Sequence, residues 1–308
     1  MVRFEIPKSA TRLEQVPPSD LDLRSDEEII AQLKTYQPII SEKNVWAFWD
    51  KGIDYMYPSY QVTILNWVRK LGPSWTVRLL DLVEDSPNNV YTFIDKSFFP
   101  ECFNNKTMDG RHIAQHQADF MRLPVLYLHG GVYMDVGNML HTHLDPLFWD
   151  HISADDSPYE IAIWMICGQI KKAWGSFGNY MMAARKGCLF IKHWHEGYKE
   201  LWRTQTNDVD SHKLLIMRDI GLADGIADWG MEDYVNEMSD YVAQMLIGDR
   251  TRNLVDVNTG WNGRDFFMNK AFMVEGIYNG ILGAIGTEYN GYKQADLLTT
   301  RLDEPDLE

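Results

Sequence analysis

Apolar positions along the chain switch between helical and alternating spacing, and the switches outline a fold. Ser25 and Glu28 form a capping-box pattern ahead of Ile29, Ile30 and Leu33, which predicts a helix that Pro38 should stop. "NVWAFWD" (44–50) is a short aromatic-rich run that predicts a buried strand closed by Asp50 and Gly52. "SYQVTILNWVRKLG" (59–72) sets Val62, Leu65, Trp67 and Val68 near helical period with Gly72 as C-cap, and "WTVRLLD" (75–81) alternates like a second strand. Strand, helix, strand predicts a parallel pair joined by a right-handed crossover, with ligand sites at the carboxyl ends of the strands.

Further along, "GRHIAQHQADFMRLPVLYLHGG" (110–131) predicts a helix bent near Pro124, and "GVYMDV" (131–136) returns to strand. "PYEIAIWMIC" (158–167) and "NYMMAAR" (179–185) are further predicted strands. "CLFIKHWHEGYKELWR" (188–203) is an amphipathic helix carrying Phe190, Trp194, Tyr198, Leu201 and Trp202 on one side. Residues 207–250 are predicted mostly helical, from "SHKLLIMRDIG" through "MEDYVNEMSDYVAQML". No internal repeat or linker divides the chain, so the expectation is an N-terminal arm and helix over 1–40 and one domain over 41–308, with a helical insertion around 205–250.

Composition narrows the function. With 45% hydrophobic residues and 11 Trp, 15 Tyr and 13 Phe, the 308-residue chain can bury a large core. Twenty-nine basic against 44 acidic residues give 29 − 44 = −15, which argues against broad capture of nucleic acid or anionic membrane. Cys102, Cys167 and Cys188 are odd in number and lack CxxC spacing, which points to a reducing compartment rather than a disulfide framework. No apolar N-terminal segment suggests secretion, and "IAIWMIC" (161–167) is too short to span a bilayer, so a cytoplasmic protein without a membrane span is expected.

Candidate chemistry gathers around "LYLHGGVYMDVGNML" (126–140). On the preceding helix His112, Gln115, Asp119 and Arg122 fall at offsets of three, four and three, one polar stripe leading to the strand that ends in Asp135. A strand-end carboxylate beside Gly130, Gly131 and Gly137 suits a bulky anionic ligand, and Mg²⁺ or Mn²⁺ would bind there through carboxylate and phosphate oxygens. The same letters also describe a strand-end turn and a surface ion pair. In "HWHEG" (193–197), His193 and His195 are two apart on a helix, unlike a zinc pair, and are expected to be solvated. Asp208 and Asp210 are expected to cap the helix of "KLLIMRDI". "TGWNGRDFF" (259–267) brings Trp261, Asn262 and Arg264 into a loop that either clamps a phosphate or simply packs a tryptophan.

Taken together, "NVWAFWDKG", the helix from Pro58 to Trp67, "WTVRLLD", "QADFMRLPVLYLHGGVYMDVG" and "GCLFIKHWHEGY" resemble the capsular polysaccharide synthesis family of sugar-nucleotide glycosyltransferases. The likeness covers about residues 44–203 and continues more loosely, as in fungal members, through "GWNGRDFF" and "YKQADLLTT". It implies the A-type (GT-A) fold, a Rossmann-like α/β sheet flanked by helices. It also implies an Asp-x-Asp metal motif gripping the donor diphosphate, falling here on Asp135, and an acid near the donor nucleoside, falling on Asp119. Trp46, Phe48 and Trp49 would flank the base, and the aromatic two residues before Asp135 is Tyr133. Gly137 stands where the second acid is expected, which leaves Asp135 with, at most, an oxygen from Asn138 for a cation.

Three functions follow. In the first, an acceptor hydroxyl attacks the anomeric carbon of a nucleotide sugar, with Asp135 holding Mn²⁺ or Mg²⁺ or ordering sugar hydroxyls, and Arg122 or Arg264 sharing the phosphate charge. The sequence also resembles the glycosyltransferase-like fungal arginine-containing cyclodipeptide synthases. There the substrate is charged tRNA, and Asp119 and Asp135 would receive a guanidinium. The third is a non-catalytic scaffold that keeps the fold.

Overall fold

In a computed structural model, the protein is described over residues 22–140, 142–165, 177–220 and 234–275. Residues 1–21 at the N-terminus, Cys167, residues 221–233 of the stretch predicted mostly helical and "YKQADLLTT" therefore lie outside the described residues. Strands β1 (Asn44–Phe48), β2 (Thr76–Leu80), β3 (Gly131–Met134), β4 (Ile161–Met165), β5 (Phe177–Ala184) and β6 (Ala271–Glu275) form one sheet in the order β2-β1-β3-β5-β4-β6. Helices α1 (Asp26–Leu33), α2 (Pro58–Leu71), α3 (Val90–Phe93), α4 (Glu101–Asn104), α5 (Ile113–His129), α6 (Asp150–Ser153), α7 (Leu189–Leu201), α8 (Val235–Tyr241), α9 (Ala243–Thr251) and α10 (Gly263–Lys270) accompany it.

The strand-helix-strand unit is as predicted: β1 pairs parallel with β2, in register Asn44 to Thr76, and with β3 on its other side. β3 and β4 both run antiparallel to β5, and β6 returns parallel to β4. This is a mixed six-stranded α/β sheet flanked by helices, as expected, with its parallel half pointing the ends of β1 and β3 the same way.

Both faces of that half are covered, so β1 is buried at every position. The period of two then divides its side chains between two cores. Trp46 and Phe48 join Leu80, Tyr133, Met182 and the aromatics of α7 on one face, while Val45 and Ala47 join Leu79, Val132, Met134 and Trp67 of α2 on the other. The apolar stripe foreseen on α7 is fully buried, from Phe190 and Trp194 through Tyr198 to Leu201, with Trp202 just beyond.

Local signals hold at the helix ends. The Ser25–Glu28 capping box is formed, although α1 ends at Leu33 rather than at Pro38. Gly72 caps α2 with φ +55°. α5 is a continuous helix with Pro124 inside it.

Residues 207–220 depart from expectation. They form only short 3₁₀ turns, Ser211–Lys213 and Leu215–Met217, in place of a helix. The cause is a competing acceptor: Asp240 takes the backbone N–H of Asp210 and of His212 at 3.0 and 2.6 Å and the Ser211 hydroxyl at 2.9 Å. Asp210 sits at φ +63° and caps nothing with its side chain. A side chain that satisfies these donors removes the reason to continue as a helix.

Candidate active site

A cavity of 630 Å³ opens where β1 and β3 end and β5 begins. α5 supplies its wall through Ala114, Gln115, Ala118, Asp119 and Arg122, which recur at three and four residues and so share one helix face. Ala114 and Ala118 leave space, whereas Asp119 and Arg122 bring charge. Trp49, Asp50 and Lys51 follow β1, Asp135 and Val136 follow β3, and Asn179 lies near the start of β5. Tyr55, Tyr57 and Tyr60 form the aromatic side, with Trp49 ring to ring against Tyr57 at 5.8 Å and Tyr60 at 5.6 Å.

The chemical centre is a buried guanidinium held between two acids. Arg122 reaches Asp119 Oδ1 at 3.0 Å and Asp135 Oδ1 at 3.1 Å, and its charge lies 5.0 Å over the Tyr133 ring. Burial works against its charge, but Asp135 and Asp119 outweigh burial and raise its pKa. Arg122 is therefore a permanent cation in the wall.

The two acids differ. Asp119 is 6% exposed, and both its oxygens are engaged. Oδ1 also accepts from Asn179 at 3.2 Å, while Oδ2 faces the Tyr198 hydroxyl and His116 Nδ1, each at 3.2 Å. Gln244 of α9 closes the set, donating to the Asp119 carbonyl at 2.7 Å and accepting from Asn179 at 2.9 Å. Asp135, by contrast, keeps 40% of its side chain accessible. Withdrawal from water nevertheless raises its pKa above the ordinary aspartate value, with Arg122 pulling it down and Asp119 adding to the rise. Asp119 is placed to hold Arg122, and Asp135 to meet a ligand.

Behind Asp119, burial lowers the pKa of His116, but its contacts with Asp119 and Asp208 prevail and carry it up to about 9. Asp208 is held well below the usual carboxylate range by its contact with His116, 3.2 Å away, and, after the opposing effect of burial, by its hydrogen bond with His112.

Comparison with known proteins shows which family the chain belongs to. Residues 57–156 match the family described as "Glycosyltransferase sugar-binding region containing DXD motif". "O-glycosyltransferase braB" of Annulohypoxylon truncatum is 40% identical over 295 residues, which is 94% of this chain and 70% of that protein. "Glycosyltransferase afumC" of Aspergillus fumigatus is 37% identical over 288 residues, 92% of this chain and 73% of that one. The chain belongs to this glycosyltransferase family. A solved structure, "PaToxG Glycosyltransferase", aligns over 74% of this chain and 86% of its own at 15% identity, with a TM-score of 0.35, too distant to add to the case.

In this glycosyltransferase the structure brings Phe48, Trp49, Gln115, Asp119, Arg122 and Asp135 to one cavity, and it sets the other predicted site residues apart. Trp46 is fully buried in the core: its indole donates to the Gly130 carbonyl at 2.9 Å, and its ring meets Phe93 and His129. Gly130 and Gly131 sit at the opposite end of β3 from Asp135, where a Cβ on Gly131 would lie 2.3 Å from the Asn44 carbonyl oxygen. These glycines permit the turn from α5 into β3 at φ +70° and +103°, and they do not face the ligand space. Tyr133 is 1% exposed and lies beneath Arg122. Asn138 spends its amide N–H on the Tyr180 carbonyl at 2.9 Å.

Trp261 packs on His193 and Phe190, Asn262 caps α10, and Arg264 is exposed on that helix, none of them bordering the cavity. His112 leaves the predicted stripe to meet Asp208 at 2.8 Å. His195 is buried at 4% exposure against Phe98, not solvated, and burial pushes its pKa down to about 4.

Sequence reading missed His116, Tyr198, Asn179 and Gln244, which hold Asp119, and the tyrosines of the aromatic side. A fully buried Tyr on an apolar helix face was the available signal, because its hydroxyl must find a partner.

The family's motif implies a divalent cation. Among the described residues the donors at Asp135 suit Mg²⁺ or Mn²⁺ poorly. Asp135 Oδ1 already pairs with Arg122, Gly137 offers no oxygen ligand from a side chain, and Asn138 turns its amide to Tyr180. No group of three metal-ligating side chains among the described residues includes Asp135.

Proposed function

We propose that the protein transfers a sugar from a nucleotide-sugar donor to an acceptor hydroxyl in the 630 Å³ cavity at the ends of β1 and β3. The observation that carries this reading is the triad Asp119–Arg122–Asp135, in which a buried cation fixes one accessible carboxylate at the mouth of the strand ends. Ligands of α/β sheets bind at that edge. Trp49, Tyr57 and Tyr60 offer flat faces to the nucleobase, and Asp135 accepts hydrogen bonds from the sugar hydroxyls. Lys51, exposed at the rim, and Arg122, fixed in the wall, stabilise the negative charge that grows on the departing diphosphate. Asp119 acts through Arg122 and positions it.

A cation bound at this edge would neutralise part of the diphosphate charge, as the family motif implies. Here the fixed guanidinium and the single carboxylate favour transfer that leans on protein charge. We further read residues 41–308 as one catalytic domain with its elaboration around 205–250, working in the cytoplasm. Cys102 and Cys188 are free and buried, and among the described residues no helix is long and apolar enough to cross a membrane.

The charged-tRNA reading lacks support. The acidic pocket it required for a substrate guanidinium already contains the protein's own, from Arg122. The test is transfer or hydrolysis measured across a panel of nucleotide sugars with the wild type and Asp135→Asn. Turnover by the wild type that collapses in the variant, with donor binding retained, supports the proposal; equal turnover by both overturns it.

A further inference from the structure

On the far side of Asp119 from the cavity, α5 carries side chains that the transfer reaction does not use. His112, at the helix N-cap, and His116, one turn on, are four residues apart and face the same way. Asp208 approaches from the segment ahead of the 211–213 turn. His112 Nδ1 is 2.8 Å and His116 Nε2 is 3.2 Å from the same oxygen, Asp208 Oδ2. The donor atoms of all three lie within 4.8 Å of one another.

His116 supplies the second observation. It is 1% exposed, and its Nδ1 faces Asp119 Oδ2 at 3.2 Å and the Tyr198 hydroxyl at 3.1 Å. Nε2 makes no aligned hydrogen bond, and among the described residues the one group within ion-pair reach of it is Asp208 Oδ2 at 3.2 Å, itself a member of the cluster. A buried imidazole held by a carboxylate on one nitrogen, with the other nitrogen aimed at further ligands, is how metal-binding histidines are oriented.

The neighbouring group Asp210, His212 and Asp240 is a useful contrast. There Asp240 is fully used by the backbone and side chains of 210–212, and Asp210 pairs with Lys213, so nothing points to a ligand.

We propose that His112, His116 and Asp208 bind a divalent transition-metal ion of the zinc class. Two imidazoles and one carboxylate form a borderline donor set that suits such an ion better than Mg²⁺ or Ca²⁺. Tetrahedral ligand atoms about 2.0–2.1 Å from zinc stand about 3.4 Å apart, close to the separations here, and a small rotation of the partly exposed His112 opens the rest. A 420 Å³ cavity bordered by His112, Asp208, Arg111 and Glu237 gives solvent access and room for a water ligand. The ion takes the place of a proton on His116 Nε2. It pins the start of α5 to the 208–212 segment and, through His116 Nδ1, steadies the acid that holds Arg122. This inference does not depend on which donor the cavity takes.

The test uses the full chain, stripped with a chelator and returned to Zn²⁺ alone. Metal analysis after gel filtration is expected to find one ion per chain. Calorimetry is expected to show His112→Gln and Asp208→Asn each weakening binding by at least the roughly 10–100-fold that loss of a supporting partner brings, with Asp210→Asn unchanged. Wild type loaded with Co²⁺ should show the intense visible bands of a tetrahedral site, which His112→Gln loses while its metal-free melting curve matches the wild type. The proposal is overturned if Zn²⁺ is not retained, if both variants retain it as the wild type does, or if Co²⁺ gives only its weak aqueous spectrum.

Discussion

Replacing Arg122 by methionine removes the cation between Asp119 and Asp135 while roughly keeping its bulk. Breaking a buried ion pair by deleting one partner costs about 3–5 kcal/mol, because the other partner is left without compensation. Here that cost is moderated at both ends. Asp119 keeps Asn179, Tyr198 and His116 as partners, and Asp135, with 40% of its side chain accessible, can turn to water. The lower end, about 3 kcal/mol, is therefore expected. For a chain of this size that is a fall in melting temperature of about 4–6 °C, readable by circular dichroism.

The same substitution in an Asp135→Asn background should cost less by about 0.5–3 kcal/mol, since one of the two stranded charges is gone. Turnover should fall by about 10²–10³ at temperatures where the variant is folded, the scale of losing one charge-stabilising donor. Arg122→Lys should restore little of either, because an ammonium cannot bridge the two carboxylates as a planar fork does. A variant that melts within about 2 °C of the wild type and turns over normally would refute the claim that this guanidinium organises the site.

Other outcomes follow from single positions. A side chain on Gly137 meets nothing nearer than the Tyr60 ring at 3.9 Å, so Gly137→Asp should fold normally and make turnover respond to Mn²⁺; an unaltered response would show that this glycine does not stand for a lost metal ligand. Tyr57→Ala should weaken donor binding by about 1–3 kcal/mol, the scale of one base stacked on an aromatic ring, and calorimetry with the nucleoside diphosphate alone would expose a mistake. His195 is buried neutral with a pKa near 4, against about 6.5 unfolded, so its stabilisation is fully present above pH 6.5 and is lost as pH falls through 4. That linkage is worth on the order of 3 kcal/mol, and His195→Phe should flatten the acid limb of the stability profile; an unchanged limb in urea melts would rule it out.

The sheet was legible because its cues are local. The apolar run at 44–48, the helix capped by Gly72 and the glycines before β3 all encode their structures in neighbouring residues. The site was half legible for the same reason. Helical spacing alone puts Gln115, Asp119 and Arg122 on one face, and strand-end position marks Asp135.

What sequence could not supply was depth and distant partnership. Trp46 and Trp49 lie three residues apart, yet the first is sealed in the core and the second lines the cavity, because one precedes the end of β1 and the other follows it. Asp119 looked like a ligand-facing acid, but its partners Tyr198, Asn179 and Gln244 are 60 or more residues away and invisible to spacing. Residues 207–220 carry helical-looking letters that a remote Asp240 diverts into turns. The likeness to capsular polysaccharide enzymes pointed to the right class of reaction, and the relatives support it at the level of glycosyltransferase.

Titration calorimetry of nucleotide sugars against the wild type, Arg122→Met and Asp135→Asn, with and without Mn²⁺, bears most directly on the cavity as the donor site. Saturable one-to-one binding by the wild type, strongly weakened when Arg122 is replaced and shifted toward the bare nucleotide when Asp135 is replaced, is the expected result. Equal binding by all three proteins would place the donor elsewhere and contradict the account.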